Sequence, residues 1–186
     1  MRKLLFPLLL LFFFHSLVFG EDKKFTILHT SDEHSTLSPI PLTDYKKDQE
    51  NSTLGGFARW ATKVKEIRAK KGDEPVLLLS AGDIMGGSPF AWLILDQKSH
   101  ELDIMQKIGY QAMTIGNHEF DYGLDTLKMI VDRIEFPILS CNYDFSKTVL
   151  KGAIKPYLIL NRFGLKIGVI GVGVDPEGLV QKSKYE

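Results

Sequence analysis

Three short polar runs carry most of the groups in this chain that could do chemistry. In chain order they are Asp32 with His34, then Asp83, then Asn117 with His118 and Asp121. Each run follows an apolar segment typical of a strand. Because the carboxyl ends of parallel strands meet at one edge of a sheet, we expect these carboxylates, imidazoles and the amide to converge there. Such groups can bind a metal ion and act on a phosphate.

The first run places a carboxylate and an imidazole two positions apart. If strand geometry persists, Asp32 and His34 project to one side while Glu33 points away. A carboxylate oxygen with an imidazole nitrogen suits a divalent transition metal such as Zn, Mn or Fe. Taken alone, this spacing is more typical of a solvated loop, so the metal interpretation depends on its position at a strand end.

The second run is Asp83, which follows Ala81-Gly82 at the end of a strand-like segment. The glycine permits a sharp turn and a close backbone approach. A carboxylate at such a turn could bridge two metal ions. The alternative is a cap for a following helix, since Asp is a favoured N-cap residue, and taken alone Asp83 favours the cap.

The third run is the densest and favours function over a structural role. Asn117 offers a neutral carbonyl ligand, whereas the neighbouring His118 should point elsewhere and face a substrate. Asp121 is spaced to accept a hydrogen bond from the His118 ring, which fixes its tautomer and favours its protonated form. Such a pair can give charge or a proton to a leaving oxygen. The alternative is a helix cap at Asp121, and His29 and His100 are expected to be ordinary polar residues.

Alternating strand-like and helix-like segments must position these runs, and they predict an α/β fold. The expected strands are 24–30, 76–80, 110–115 and 136–141, the expected helices 54–71, 89–108 with a break near 98–99, and 124–134, and the expected hairpin 157–170. The unalternated run 76–80 is typical of a strand buried on both faces. Residues 166–170 are likewise expected to form a buried strand.

The composition excludes some partners. The chain has 186 residues, 44% of them hydrophobic and 25% charged, with a formal net charge of zero. Without a basic tract we expect neither nucleic acid nor an anionic membrane surface as a partner. Cys141 is the one cysteine, so no intrachain disulfide can form. We expect it to be a small strand residue rather than a catalytic thiol.

The N-terminus predicts export. Arg2-Lys3 precedes an apolar stretch over residues 4–19, and Gly20 offers a small residue at a cleavage position. We therefore expect a signal peptide over 1–20, a domain over 21–186, and a periplasmic or extracellular location. A retained membrane anchor is the alternative, but the stretch is shorter than the roughly 20 residues of a full span.

Six segments carry a resemblance to a known family. They are residues 29–34, 54–59, 80–83 with 87–89, 116–121, 136–142 and 166–171. In this order they resemble the calcineurin-like metallophosphoesterases, specifically the periplasmic 5'-nucleotidase and UDP-sugar hydrolase branch. The resemblance implies a four-layer α-β-β-α sandwich. It also implies two divalent ions that activate water for in-line attack on phosphorus.

The resemblance assigns roles to the polar runs by position. The implied metal ligands are Asp32 and His34 for one ion, Asp83 bridging both, and Asn117 for the other. His118, oriented by Asp121, is implied to stabilise the transition state and assist the leaving group. Ser31 stands where the family usually has Asn, and Ser35 where it often has Gly, and neither change removes a ligand.

One departure from the family pattern limits these expectations. The family completes its metal shell with three later histidines, one in a Gly-His run and two in a Gly-His-x-His run, and no histidine follows His118 here. A C-terminal domain that sets substrate specificity also has no counterpart. We therefore expect the N-terminal part of a catalytic domain, a sandwich incomplete at its C-terminus, weak metal binding and poor turnover.

The predicted function is metal-dependent hydrolysis of small-molecule phosphoesters, with 5'-nucleotides the favoured substrates. Two alternatives stay open. The chain could be a non-catalytic exported binding domain that kept the scaffold. It could also belong to a hydrolase of another ester, such as a cyclic phosphodiester, a UDP-sugar or a sulfur ester.

Overall fold

A four-stranded parallel sheet forms the centre of the fold. The computed structural model describes residues 22–41, 53–96 and 98–186, so the expected signal peptide lies outside the described residues. The strands are β1 (Thr26–Thr30), β4 (Val76–Ser80), β5 (Ala112–Thr114) and β6 (Ile138–Leu139), in the order β1-β4-β5-β6. Neighbouring strands are all parallel. The predicted α/β class is therefore confirmed.

The strand β4 is the most deeply buried element, as its unalternated sequence predicts. Val76, Leu77 and Leu78 are at most 1% exposed, because β4 lies between β1 and β5 and is covered on both faces. The edge strand β1 instead alternates half-buried and exposed residues. The hydrophobic core gathers around the inner strands and the faces of the helices that pack on them.

Within the described residues, three α-helices connect the strands. They are α1 (Phe57–Lys71), α2 (His100–Ile108) and α3 (Leu124–Arg133), and a 3₁₀ segment, Pro89–Asp96, precedes α2. The helix α1 begins later than predicted, because Thr53–Leu54 forms the strand β3 instead. The strand β3 pairs antiparallel with β2 (Ile40–Pro41) in a small separate sheet. His29 in β1 and His100 in α2 are exposed, as expected of ordinary polar residues.

The helices α1 and α2 are joined through a guanidinium group. Arg68 of α1 donates hydrogen bonds to the carbonyl oxygens of Ile108 and Gly109, where α2 ends. These carbonyls have no partner within the helix, so a cation at this end satisfies them and complements the helix dipole. The contact fixes α2 against α1 and, with it, the chain that leads into β5.

The C-terminal strands form a separate antiparallel hairpin. The strands β7 (Tyr157–Arg162) and β8 (Leu165–Ile170) are in register, and a turn with positive φ at Phe163 and Gly164 connects them. The prediction of a buried strand over 166–170 was wrong. Half-buried and exposed residues alternate along β8, because the hairpin forms a sheet of its own and the described residues cover only one face.

The open end of the hairpin is tied to β6. The Ser140 amide donates to the Lys155 carbonyl at 2.9 Å, and the Cys141 amide donates to the Gly171 carbonyl at 2.8 Å. Cys141 is exposed and lies beyond β6, so its predicted place within a strand was wrong. The ladder ends at Leu139, after which the backbone turns to meet the hairpin. No helix in the described part of the chain is long and apolar enough to cross a membrane.

Candidate functional site

The loops after β1 and β4 remain hydrogen-bonded beyond the ends of their strands. The Asp32 amide donates to the Gly82 carbonyl and the His34 amide to the Asp83 carbonyl, both at 3.1 Å. One residue further, the Ser35 amide donates to the Ile84 carbonyl at 2.6 Å. The first two polar runs of the sequence are therefore joined backbone to backbone at the carboxyl edge of the sheet.

Three of the four predicted metal ligands have strained backbones. Asp32, His34 and Asp83 have φ values of 58°, 45° and 57°, in the left-handed region that residues other than glycine rarely adopt. The strand geometry assumed for Asp32 and His34 therefore does not persist. Their side chains nevertheless meet, with His34 Nε2 3.8 Å from Asp32 Oδ1. Such strain persists only where surrounding contacts hold it, and it clusters at functional sites.

The loops after β4 and β5 approach each other closely at two glycines. A Cβ added to Gly82 would lie 2.5 Å from the Gly116 nitrogen, and one added to Gly116 would lie 2.3 Å from Asp83 Oδ1. Asp83 Oδ1 accepts a hydrogen bond from the His118 amide at 2.8 Å. The carboxylate thus faces the neighbouring loop instead of capping a helix that follows it.

His118 and Asp121 form the predicted pair. The ring nitrogen Nδ1 of His118 lies 2.8 Å from Asp121 Oδ2, and both side chains are about one-third exposed. The His118 ring also meets the His34 ring edge to face, with centroids 4.7 Å apart. Asp121 ends the short 3₁₀ segment His118–Phe120, not the start of α3, and its side chain bonds the histidine rather than capping a helix.

The electrostatic setting favours the charged form of His118. Burial of the ring lowers the pKa of His118, but the hydrogen bond that the ring donates to Asp121 and the charges of Asp121, Asp83 and Glu119 raise it by more. The net effect is a pKa above the ordinary value for histidine. With Nδ1 held by Asp121, Nε2 is the ring nitrogen left to exchange a proton with a bound molecule.

The donor set suits a divalent metal only in part. Asn117 lies half-buried between Gly116 and His118, in the same loop as the histidine pair. The donor set of Asp32, His34, Asp83 and Asn117 combines carboxylate, imidazole and amide groups, which are ordinary ligands of Zn, Mn and Fe. Within the described ranges, however, no three side chains of His, Cys, Asp or Glu converge closely enough to hold an ion.

Sequence reasoning missed Glu119, which is buried within the third run. The side chain is 2% exposed, and its carboxylate accepts hydrogen bonds from the amides of Asp83, Ile84 and Gly116. Burial raises the pKa of Glu119 to about 7, although the three backbone hydrogen bonds act to lower it. The sequence did contain one indication that Glu119 is buried. It is a charged residue next to Phe120, and the run that contains it lies between apolar segments.

A second buried carboxylate belongs to Glu33. Both of its oxygen atoms are buried. Burial raises the pKa of the Glu33 carboxyl group. The predicted divergence from Asp32 and His34 fits this placement. Glu33 also lines a cavity of about 540 Å³ beside the site, together with Asp32, Trp60 and Arg59.

Comparison with known proteins identifies the family. The calcineurin-like phosphoesterase family model matches residues 25–177, which is most of the chain and includes all three polar runs. The chain therefore belongs to the calcineurin-like phosphoesterases, as the motif resemblance predicted.

Particular relatives narrow the resemblance to nucleotidases. The chain is 38% identical over 152 residues to snake venom 5'-nucleotidase of Gloydius brevicauda, covering 80% of this chain and 25% of the relative. It is 34% identical over 174 residues to the protein UshA of Escherichia coli, covering 91% and 29%. The solved structure of a 5'-nucleotidase precursor from Thermus thermophilus matches with a TM-score of 0.70 and 30% identity, covering 81% and 28%.

The chain corresponds to only part of the length of these relatives. The chain spans between a quarter and three-tenths of the length of the curated relatives that it matches. The α/β fold with its parallel sheet agrees with the solved 5'-nucleotidase precursor over most of the chain.

Proposed function

We propose that this chain contributes to a metal-dependent phosphoester hydrolase whose favoured substrates are 5'-nucleotides. The observation that carries the proposal is the position of the His118–Asp121 pair. The ring of His118 lies beside His34, and its amide is bound to Asp83. The His118 ring therefore lies at the junction of the three loops that carry the proposed oxygen and nitrogen ligands.

The chain's own side chains divide into two groups of proposed ligands. Asp32 and His34 would hold one divalent ion, Asp83 would reach both, and Asn117 would hold the second. Bound Zn, Mn or Fe ions would supply Lewis acidity and make a water molecule more acidic, and so a better nucleophile at neutral pH. Since the four residues do not converge on one point, further ligands are part of the proposal.

His118 would act on the leaving side of the reaction. Asp121 lies at Nδ1, so in the charged form of the ring Nε2 is the nitrogen whose proton could be given to a departing oxygen. The neighbouring carboxylates raise the pKa of His118 and so favour the protonated ring. Because the side chain is about one-third exposed, a bound phosphoester can reach it.

The substrate class rests on the relatives. Several of them are named 5'-nucleotidases, and a nucleoside monophosphate is the substrate that this name describes. We propose the same class of small phosphoester here, and export of the protein through the signal-like residues 1–20. Hydrolysis of a cyclic phosphodiester, a UDP-sugar or a sulfur ester would require a different substrate pocket beside the same proposed metal site.

Phosphate release from AMP in the presence of Mn²⁺ tests the proposal. The His118→Ala variant should lose at least about 100-fold in kcat, since general acid catalysis contributes that much or more. The matched control is His100→Ala, at the exposed start of α2, which should keep activity within about twofold. Equal activity of both variants would contradict the role proposed for His118.

Metal binding is tested separately by thermal unfolding with and without Mn²⁺. An ion bound to the folded protein should raise Tm, and Asp83→Asn should lose this shift. Asp125→Asn, an exposed aspartate in α3, serves as the control and should keep it. A Tm shift without hydrolysis of any phosphoester would favour the binding domain, and the absence of any Mn²⁺ effect would contradict the metal site.

A further inference from the structure

Glu119 joins two of the three loops at the candidate site through backbone groups alone. Its Oε2 atom accepts hydrogen bonds from the Asp83 amide at 2.9 Å and the Gly116 amide at 2.6 Å. Its Oε1 atom accepts one from the Ile84 amide at 2.8 Å. One side chain therefore holds the loop after β4 and the loop after β5 at a fixed separation.

The arrangement uses both carboxylate oxygens of Glu119 as acceptors. All three partners are donors, so each must meet a lone pair. In the Glu119→Gln variant one oxygen becomes an amide group that donates, and it would face at least one of the N–H groups. An aspartate would be one methylene shorter and could not reach the same three amides from the same backbone position.

The close approach of the loops makes their separation sensitive to this contact. Gly82 and Gly116 pack with no room for a Cβ on either side. Asp83 lies directly after one of these glycines and Asn117 directly after the other. Any change in the distance between the loops therefore moves the Asp83 carboxylate relative to the Asn117 side chain.

We propose that Glu119 is a positioning residue that sets the spacing between Asp83 and Asn117, and so the affinity of the site for divalent metal. This inference rests on the proposed metal binding and deepens it. Glu119 would not itself bind the metal, and it acts through the backbone of Asp83 and of Gly116, the residue before Asn117. Groups that orient metal ligands in this way commonly change metal affinity by about 10- to 100-fold when removed.

Titration with Mn²⁺, followed by electron paramagnetic resonance of the free ion, tests the inference without any assay of activity. We expect Glu119→Gln to weaken Mn²⁺ binding at least about tenfold. The matched control is Glu101→Gln, because Glu101 is also a buried glutamate, 5% exposed, but lies in α2. The control should keep the affinity of the wild type within about twofold.

The outcomes separate the inference from the proposed function. If the wild type binds Mn²⁺ and Glu119→Gln binds it equally well, the positioning role is overturned and the metal site stands. If the wild type does not bind Mn²⁺, the metal site fails and this inference fails with it. If both glutamate variants lose affinity alike, the effect is one of general stability and the positioning role is again overturned.

Amide hydrogen exchange of the wild type provides a readout that needs neither a variant nor a metal. In the metal-free wild type the amides of Asp83, Ile84 and Gly116 should be protected, since each donates to Glu119. Rapid exchange of these three amides would overturn the proposal. In Glu119→Gln their exchange should accelerate more than that of Leu127 in α3, and parallel acceleration would indicate a loss of stability alone.

Discussion

The loops at the carboxyl edge of the parallel sheet differ from the β7–β8 hairpin in backbone conformation. At the edge, Asp32, His34 and Asp83 hold unfavourable φ angles, and bonds between loops keep them there. In the hairpin, every residue from Tyr157 to Arg162 has a partner on β8, and only the turn at Phe163 and Gly164 is left-handed. The conformation of the edge loops is stabilised by residues distant in the chain, whereas the hairpin is stabilised by pairing between its own two strands.

The difference also extends to burial. The residues beneath the edge belong to β4 and the core, whereas Ile170 of β8 is 66% exposed. A substitution near the edge therefore disturbs packed neighbours that cannot move aside, and one on the open face of the hairpin meets solvent. Free energies of unfolding should follow this contrast, from the core under the site to the outer face of the hairpin.

The largest loss should come from Leu78→Ala in β4. Leu78 is fully buried between β1 and β5, so truncation removes apolar contacts and leaves a cavity. We expect the free energy of unfolding, measured in urea, to fall by about 2–5 kcal/mol. A loss below about 1 kcal/mol would mean that the sheet can collapse around the missing side chain.

The next largest effect should come from Gly116→Ala. The new methyl group would overlap Asp83, and overpacking of this kind costs about 1–3 kcal/mol. Gly152→Ala is the control, because it has open space but a φ of 77°, which alone costs about 1–2 kcal/mol. The Gly116 variant should also lose Mn²⁺ binding, which the Gly152 variant should retain. Retention in both would show that the loops can separate without affecting the metal site.

A smaller effect should come from Tyr110, whose hydroxyl group links the end of β1 to α1. It is within hydrogen-bond distance of Thr30 Oγ1 at 2.7 Å and accepts from Trp60 Nε1 at 2.8 Å. Tyr110→Phe leaves both partners unpaired and should lower the free energy of unfolding by about 1–2 kcal/mol near pH 8.

The same residue predicts a pH dependence. Burial raises the pKa of Tyr110 to about 12, above its ordinary value of 10. The neutral phenol is therefore favoured in the folded state, and its contribution is complete below pH 10 and is lost as the pH rises towards 12. Urea unfolding at pH 8 and pH 11 should show the gap between wild type and Tyr110→Phe narrowing. A gap that widens at pH 11 would contradict this assignment.

The smallest effect should come from Ile170→Thr on the exposed face of β8. The substitution keeps a β-branched residue in a strand and changes little buried surface. The free energy of unfolding should stay within about 0.5 kcal/mol of the wild type. A larger loss would show that this face of the hairpin is covered in solution, and sedimentation velocity would then reveal whether a second copy covers it.

The sequence predicted the parts of this fold that follow from hydrophobic pattern and short spacing. The unbroken apolar run from Val76 predicted a buried strand, and alternation of elements predicted the α/β fold. The three-residue spacing of His118 and Asp121 predicted their hydrogen bond. Each of these features is set by residues that are neighbours in the chain, so a single sequence contains the information.

Features that depend on contacts between distant segments could not be predicted. The left-handed backbone of Asp32 and His34 results from bonds to the loop after β4, and strand periodicity suggested the opposite. The burial of Glu119 depends on three amides, two of them about 35 residues away in the chain. The exposed face of β8 likewise reflects what packs beside the hairpin, which its apolar sequence does not specify.

The order of strands in the parallel sheet has a consequence for how the molecule folds. Pairing β1 with β4 brings Thr26 to Val76, so a long loop must close before the edge exists. The hairpin β7–β8 closes only a short turn, so it can form independently of the sheet, within microseconds. The loops that carry the candidate ligands should therefore assemble late in refolding. Pulse-labelled hydrogen exchange should find the Ile167 amide protected before that of Asp83, and the reverse order would contradict this.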